Sequence, residues 1–384
     1  MPNGQRKIQT KANKDQLVVG LHQIGKILEI LGQIDVSWSS VQKNTTLELA
    51  LITLYNVRVP AGYTGAAGKP DLDRLIAYLR KTYKDETDEA LTIGKNRIVG
   101  SLVGSPYTGG GLSGIQLMPL TGTLPNRTDP PGEGVGVGIL DTRLFAHPDL
   151  AGRYLASHGT LAAEIPARPP DQEAHATFIA GVVLEWAPNA NLVVDHVLNE
   201  SDVSTSSWQV ATKMARFAKA GVDVLNISFG AATDDDKPPL VLQRAVEVLG
   251  RSGVIVVAAA GNNGPDITKI WPAALAETDP NVVAVGAGKP NGSGGFLSAV
   301  FSPDATWIDL IAPGENIYST YRASGYATWS GTSFAAASVS GAIALLVQTQ
   351  NMRAREAVDW LRTRPADRKQ PGVAAVIDDI GPRA

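Results

Sequence analysis

Residues 254–262 read VIVVAAAGN, an apolar run that closes on a glycine and an asparagine. It reads as a strand, and it is one of a series: GVGILDT at 136–142, LVVDHVL at 192–198, VDVLNIS at 222–228 and NVVAVGA at 281–287 have the same form. Between these runs lie helical stretches that start at His175, Thr205 and Pro239. Strands alternating with helices predict an α/β fold, a parallel sheet flanked by helices. Two more helices are expected near the end, over 332–348 and over 353–361, the latter with Ala357 and Leu361 on one side.

Upstream the pattern changes. A short strand at 17–20 precedes a helix over 21–31, whose apolar residues Leu21, Ile24, Leu28 and Leu31 keep a helical spacing. Strands at 36–41 and 46–55, the second containing LELALITLY, form a hairpin about Lys43-Asn44. Asp71 is expected to cap a helix with apolar face Leu72, Leu75, Ile76 and Leu79, and a strand at 97–102 closes the segment. The order βαββαβ predicts a small α+β domain of ferredoxin-like type. Gly, Pro, Thr and Ser then crowd 104–134, as in SPYTGGG and NRTDPPGEG, which punctuate a chain rather than pack it. At 384 residues the chain exceeds what one core usually supports. The expected division is 1–103 for the N-terminal domain, 104–132 for a linker and 133–384 for the larger domain.

Composition narrows the function. With 44% hydrophobic and 18% charged residues the chain is of ordinary globular type. A formal charge of −3 provides no field that would favour nucleic acid or an anionic membrane, so neither partner is expected. The absence of cysteine removes thiolate chemistry and leaves oxygen and nitrogen groups to do any catalysis. No secretory leader is read in MPNGQRKIQTKANKDQ, so a cytoplasmic location is expected. The weakly polar run 333–347 is short for a membrane span and reads as a buried helix.

Four residues stand where chemistry can occur. Asp141 ends a strand at the carboxyl edge of the sheet, where catalytic groups of open α/β folds gather; alone it reads equally as a turn or cap residue. His175 opens the apolar helix HATFIAGVV, which can fix its ring as a general base requires, although a lone histidine at a helix start is commonly a surface residue. Ser333 lies in WSGTSFAAASVSG, where Gly331 permits a sharp turn and the hydroxyl is left at a helix N-terminus. That position suits an acyl-transfer nucleophile and also an ordinary N-cap serine. Asn262 can donate its amide to an oxyanion, or simply serve the turn GNNG.

Taken together, GVGILDT with HPDL, HATFIAG, LNISFG, VVAAAGN, WPAAL, NVVAVGA, IDLIAPGENIYST and SGTSFAAASVSG resemble the subtilase family, in the chain order Asp, His, Ser, over residues 133–362. The resemblance implies a serine endopeptidase acting on peptide or protein substrates. In it Ser333 attacks the carbonyl, His175 carries the proton, Asp141 holds the imidazole, and Asn262 with the Ser333 N–H binds the oxyanion. It further implies that Ser228, Phe229 and Gly230 pair with extended substrate, that Ala258, Ala259 and Ala260 wall the primary pocket, and that 199–204 forms the other rim. Small apolar walls predict a preference for a large hydrophobic residue before the cut. The N-terminal domain looks like the propeptide of secreted subtilases, an intramolecular inhibitor or chaperone, with cleavage expected within 104–124. Several positions depart from the pattern: Arg143 and Ala176 for glycines, Phe178 for a second histidine, Ala337-Ser338 for Pro-His. Arg143 beside Asp141 keeps open an alternative, an inactive peptide-binding or scaffolding module.

Other signals are weaker. His22, His147, His158 and His196 have no metal-ligand spacing, and Asp234-Asp235-Asp236 lacks the loop that would make it a calcium site, so no cofactor is expected. The glycines of GEGVGVG miss the dinucleotide spacing, and no G-x-S-x-G elbow precedes an acid and a histidine as an α/β-hydrolase would need.

Overall fold

The computed structural model describes residues 11–101, 116–118, 134–156, 174–198, 204–290 and 296–363. The N-terminal part runs β1 (Ala12–Gly20), α1 (Ile24–Gln33), β2 (Trp38–Asn44), β3 (Leu49–Leu54), α2 (Asp71–Thr87), β4 (Ile93–Ser101). These strands lie in the order β4-β1-β3-β2, every pair antiparallel. Alternation along the strands divides their side chains between two cores. Leu17, Val19, Ala50 and Ile52 pack with Ile27, Leu75 and Leu79 of the two helices. Val18, Leu49 and Leu51 face the other way and enter a core shared with Val210, Leu242 and Val246 of the larger domain. The nearly unbroken apolar run LALITL of β3 therefore reflects burial on both faces. Asp71 is not the cap of α2: Pro70 holds that position, and Asp71 opens the first turn near Arg74, at 3.7 Å.

Within the stretch read as a linker, β5 (Gln116–Met118) is a strand; the remainder of 104–132 lies outside the described residues. The larger domain continues with β6 (Gly136–Asp141), β7 (Tyr154–Ala156), α3 (His175–Trp186), β8 (Asn191–His196), β9 (Ser204–Ser206), α4 (Ser207–Phe217), β10 (Val224–Ile227), β11 (Phe229–Gly230), α5 (Leu240–Arg251) and β12 (Ile255–Ala259). It ends with β13 (Val282–Pro290), β14 (Phe296–Ser298), β15 (Leu310–Pro313), β16 (Ile317–Tyr321), β17 (Gly325–Trp329), α6 (Thr332–Gln350) and α7 (Ala354–Thr363). The sheet order is β14-β13-β12-β10-β6-β8-β7, with β15 beside β13. Its pairings are parallel except at β14.

From β6 the chain goes first to β8 on one side and then to β10 on the other, so a crevice opens at the carboxyl ends of β6 and β10. Val137, Ile139 and Phe178 pack with Phe334 and Ala337 on one face of the sheet. Leu140, Leu225 and Ile227 pack with Met214 and Ala245 of α4 and α5 on the other. The helix α6 has small or apolar residues on all sides and is buried accordingly. Its Ser338 and Ser340 hydroxyls are satisfied by Phe334 O and Ala336 O one turn back, at 3.0 and 2.9 Å. A small sheet β16-β17-β5, which periodicity did not reveal, delivers the chain to the start of α6.

Candidate active site

Asp141 is the last residue of β6 and His175 the first of α3; both are fully buried. The Nδ1 of His175 lies 2.8 Å from Asp141 Oδ1, which also accepts from Thr142 N at 2.7 Å. A carboxylate on Nδ1 selects the tautomer with its proton there and leaves Nε2 as the basic nitrogen. Thr142 Oγ1 in turn accepts from Ala176 N at 3.0 Å, tying the start of α3 to the end of β6. The imidazole is held by rings as well, edge-on to Trp329 with centroids 5.5 Å apart and tilted against Phe334 at 5.5 Å. Phe178, which replaces a histidine of the family pattern, completes this cage at 4.5 Å from Phe334. Among the described residues Nε2 of His175 and Oδ2 of Asp141 are buried without a hydrogen-bond partner. A partnerless buried polar atom is costly and calls for an explanation, of which a catalytic role is one.

Ser333 is the second residue of α6, the turn after the cap Gly331. Gly331 is extended, with φ 168° and ψ 155°, so it makes no left-handed turn. A β-carbon there would make only ordinary contacts, the nearest with Asn262 Nδ2 at 3.4 Å, so neither backbone conformation nor space requires glycine at this position. The left-handed residue is Gly261, φ +111°, which swings Asn262 out of the line of β12. The Oδ1 of Asn262 accepts from Thr332 N and Thr332 Oγ1, each at 2.9 Å, and Thr332 Oγ1 accepts from Gly261 N at 3.1 Å. The carboxamide orientation is thereby fixed, with its N–H end away from Thr332. Ser333 Oγ donates to Ser228 O at 3.3 Å, and Ser228 Oγ donates to Ser333 O at 3.2 Å. Asn226 joins the two elements from below, donating to Ser228 Oγ and accepting from Ser340 Oγ. Thr332 and Thr142, neither singled out by the sequence reading, orient the groups beside them. Their adjacency to Ser333 and Asp141 was the available signal.

Phe229 and Gly230 pair with Ser101 and Gly100, while Ser204, Thr205 and Ser206 pair with Gly100, Val99 and Ile98. The last residues of β4 are thus the middle strand between β9 and β11, antiparallel to both, in the groove that leads to Ser228 and Ser333. Val99 is fully buried in the core cluster that also holds Leu198, Trp208 and Phe229. Ala258, Ala259 and Ala260 do not form one wall. Strand alternation places Ala258 and Ala260 in the cluster with Ile227 and Trp271, and Ala259 in the opposite one with Ala335 and Val339. Of the rim expected over 199–204, only Ser204 falls among the described residues.

Polar contacts lock β4 in place. Asn96 Oδ1 accepts from Trp208 N and Ser207 Oγ at the start of α4, at 2.9 and 3.0 Å, and Arg97 N donates to Ser207 Oγ at 2.9 Å. The Arg97 guanidinium, 7% exposed, bonds Asp234 and, at 3.3 Å, Asp235; Lys95 reaches Asp73 at 2.5 Å and Asp234 at 3.6 Å. The acidic run weighed as a calcium contributor therefore meets cations of the N-terminal domain. Burial alone would push the Asp234 carboxyl upward, but the Arg97 hydrogen bond and charge, with the charge of Lys95, outweigh it and hold the group below its ordinary 3.8. A depressed folded value stabilises the docked form fully above the ordinary value and loses that contribution as pH falls through the folded one. Arg97→Ala is thus expected to cost about 1–2 kcal/mol at pH 6, less than a fully buried pair because both carboxylates are half exposed. Urea titration should show a smaller cost at pH 3; an equal cost at both values would contradict an ionic clamp.

A carboxylate, an imidazole and a helix-start hydroxyl, met in that chain order at the carboxyl edge of a parallel sheet with an amide beside them, define the Asp-His-Ser class of α/β proteins. The subtilase family, peptidase family S8, matches residues 132–375, and the chain belongs to it. It is 37% identical over 228 residues to subtilisin Savinase of Lederbergia lenta, covering 56% of this chain and 77% of that protein. An alkaline protease of Alkalihalobacillus alcalophilus is likewise 37% identical over 228 residues, with 56% of this chain matched; the chain spans about half, 55%, of that relative's length. In fold, the chain is similar to fervidolysin from Fervidobacterium pennivorans, described as a keratinolytic enzyme related to subtilisin. That match has TM-score 0.66 and 18% identity over 98% of this chain and 61% of the other.

Proposed function

We propose that the chain is a serine endopeptidase and that its own ferredoxin-like N-terminal domain is the first segment its groove binds and cuts. The observation that carries the reading is the buried His175 imidazole, held by Asp141 on Nδ1 and without a partner on Nε2, in contact with the residue that follows Ser333. Turning the Ser333 hydroxyl from Ser228 O toward Nε2 supplies the missing donor. Nε2 then accepts the proton as Oγ attacks the carbonyl, and returns it to the leaving amine, after which water repeats the sequence on the acyl-enzyme. The Asn262 amide and the Ser333 N–H at the α6 N-terminus stabilise the negative oxygen. Water must be excluded for this to be effective, and the aromatic cage of Trp329, Phe178 and Phe334 does so around the imidazole.

The strand β4 sets where the first cut falls. Ser101 lies opposite Phe229, and Ser228, one residue earlier, is the partner of Ser333. A strand held in that register is cut after the residue that follows Ser101, upstream of the 104–124 expected from sequence, a stretch that apart from 116–118 lies outside the described residues. Leu102 there would satisfy the expected hydrophobic preference. Intact-mass analysis of the purified protein should find a fragment beginning within about two residues of Val103, and Ser333→Ala should remain whole. Processing of Ser333→Ala at the parental rate would overturn self-cleavage. A second reading, a peptide-binding module without turnover, takes its support from the Ser333 Oγ bond to Ser228 O at 3.3 Å, which leaves the imidazole Nε2 without that hydroxyl. It requires that the folded protein hydrolyse no peptide.

A further inference from the structure

The groove that β4 fills extends beyond the positions next to Ser333, and its far end is charged. Four residues before Ser101, which faces Phe229, the Arg97 side chain leaves the strand and reaches the loop after β11, where Asp234 and Asp235 both bind it. The guanidinium is 7% exposed while the two carboxylates remain about half exposed, at 48% and 53%. The acids are thus a rim that belongs to the larger domain, and the cation belongs to the strand occupying the groove. The main chain at this place is fixed too, because Arg97 N donates to Ser207 Oγ and so sets the register in which the side chain arrives. A rigid strand, a hydrogen bond at the residue's own amide and two convergent carboxylates are what a site selective for one basic residue requires.

We infer that Asp234 and Asp235 form a cation subsite of the groove, which selects peptide or protein substrates carrying arginine or lysine four residues before the one that pairs with Phe229. Arg97 occupies it as the stand-in for substrate. The inference rests on the peptidase reading, since only a strand that enters the groove as β4 does can place its side chain there. It gives the enzyme a preference set far from the bond cut: a hydrophobic residue at the scissile position and a basic one five residues before it. Such a distal charge contact acts mainly on substrate capture and weakens with ionic strength.

The test uses the full chain and octapeptides capped with a fluorogenic amine, one copied from residues 95–102 with alanine for Lys95, which itself reaches Asp234 at 3.6 Å, Ala-Asn-Arg-Ile-Val-Gly-Ser-Leu, and one with alanine for the arginine as well. The ratio of their kcat/KM values is the readout, because any occupancy of the groove by β4 cancels in it. The arginine peptide is expected to be favoured about tenfold at low salt, the scale of a charge-assisted bond to half-exposed carboxylates. In Asp234→Asn with Asp235→Asn the ratio should fall to about one. Cleavage of both peptides at equal rates by the parent protein would overturn the subsite and leave the peptidase reading standing. A preference that persists in the double variant would also overturn it, by assigning the selection elsewhere. Cleavage of neither peptide would overturn the peptidase reading and the subsite with it.

Discussion

Ser333→Ala is expected to lower kcat for peptide hydrolysis by about a million-fold, the scale on which a nucleophile's removal takes away the acyl-enzyme route. The substitution should leave the fold in place. The lost hydroxyl makes one long bond, 3.3 Å to Ser228 O, and the reciprocal bond from Ser228 Oγ uses the Ser333 backbone carbonyl, which alanine retains. Its neighbours Ala335, Ala336 and Ala337 show that this end of α6 accommodates small side chains. One neutral hydrogen bond is worth about 1 kcal/mol, so the thermal midpoint should move by only about 2–4 °C. Adding His175→Ala to the variant should cost little more, since the hydroxyl and the imidazole act as a unit. Steady-state hydrolysis and a melting curve on the same preparations check both statements. A variant that melts like the parent yet keeps more than a few per cent of its activity would contradict the assignment of the nucleophile.

Asn262→Ala is expected to reduce kcat by about a hundred- to a thousand-fold with little change in KM, because its amide is called upon only when charge develops on the oxygen. The way the residue is held makes a second variant more telling. Oδ1 receives two hydrogen bonds from Thr332, at 2.9 Å each, so Asn262→Asp can keep that anchorage while losing the N–H donor. The aspartate would then present a carboxylate oxygen to a developing oxyanion, and its activity should fall below that of the alanine variant. An aspartate variant more active than the alanine variant would show that packing at this position, and not donation, is what matters.

The sequence carried the larger domain's fold clearly. Strands such as VIVVAAA and VDVLNIS are buried on both faces and bounded by turn residues, so their pattern survives without tertiary information. The pieces it did not carry are short and are formed by partners. Three-residue β9, two-residue β11 and three-residue β5 have no periodicity of their own and exist because β4 and β17 lie beside them. For that reason the helix expected from Thr205 begins at Ser207, after Thr205 has joined the strand, with Ser206 as its cap. Gly331, whose type suggests a sharp turn, is extended, and the left-handed glycine beside the site is Gly261, because the letter alone does not say which glycine uses its conformational freedom. The three alanines of VVAAAGN looked like one wall because composition hides which side of a strand each residue faces.

The site was legible to the extent that chemistry and adjacency coincide. Asp141 ends β6, His175 begins α3, Ser333 is the second residue of α6 and Asn262 follows β12 by three residues, and the chain order grouped them. Their supports were legible only afterwards: Thr332 aims Asn262, Thr142 fastens Ala176, and Trp329 packs edge-on against His175. The role of Asp234-Asp235 could not be read at all, because their partner Arg97 stands 137 and 138 positions away. A run of three acids carries no mark of whether a metal ion, solvent or a guanidinium will meet it.

One measurement bears most directly on the claim that Ser333 is a nucleophile activated by His175 and Asp141. The folded protein and its Ser333→Ala and His175→Ala variants are each incubated with a fluorophosphonate and weighed intact. One covalent adduct is expected on the parent protein, mapped to Ser333, and none on either variant. A folded parent protein that takes up no label, or label that persists in Ser333→Ala, would contradict it.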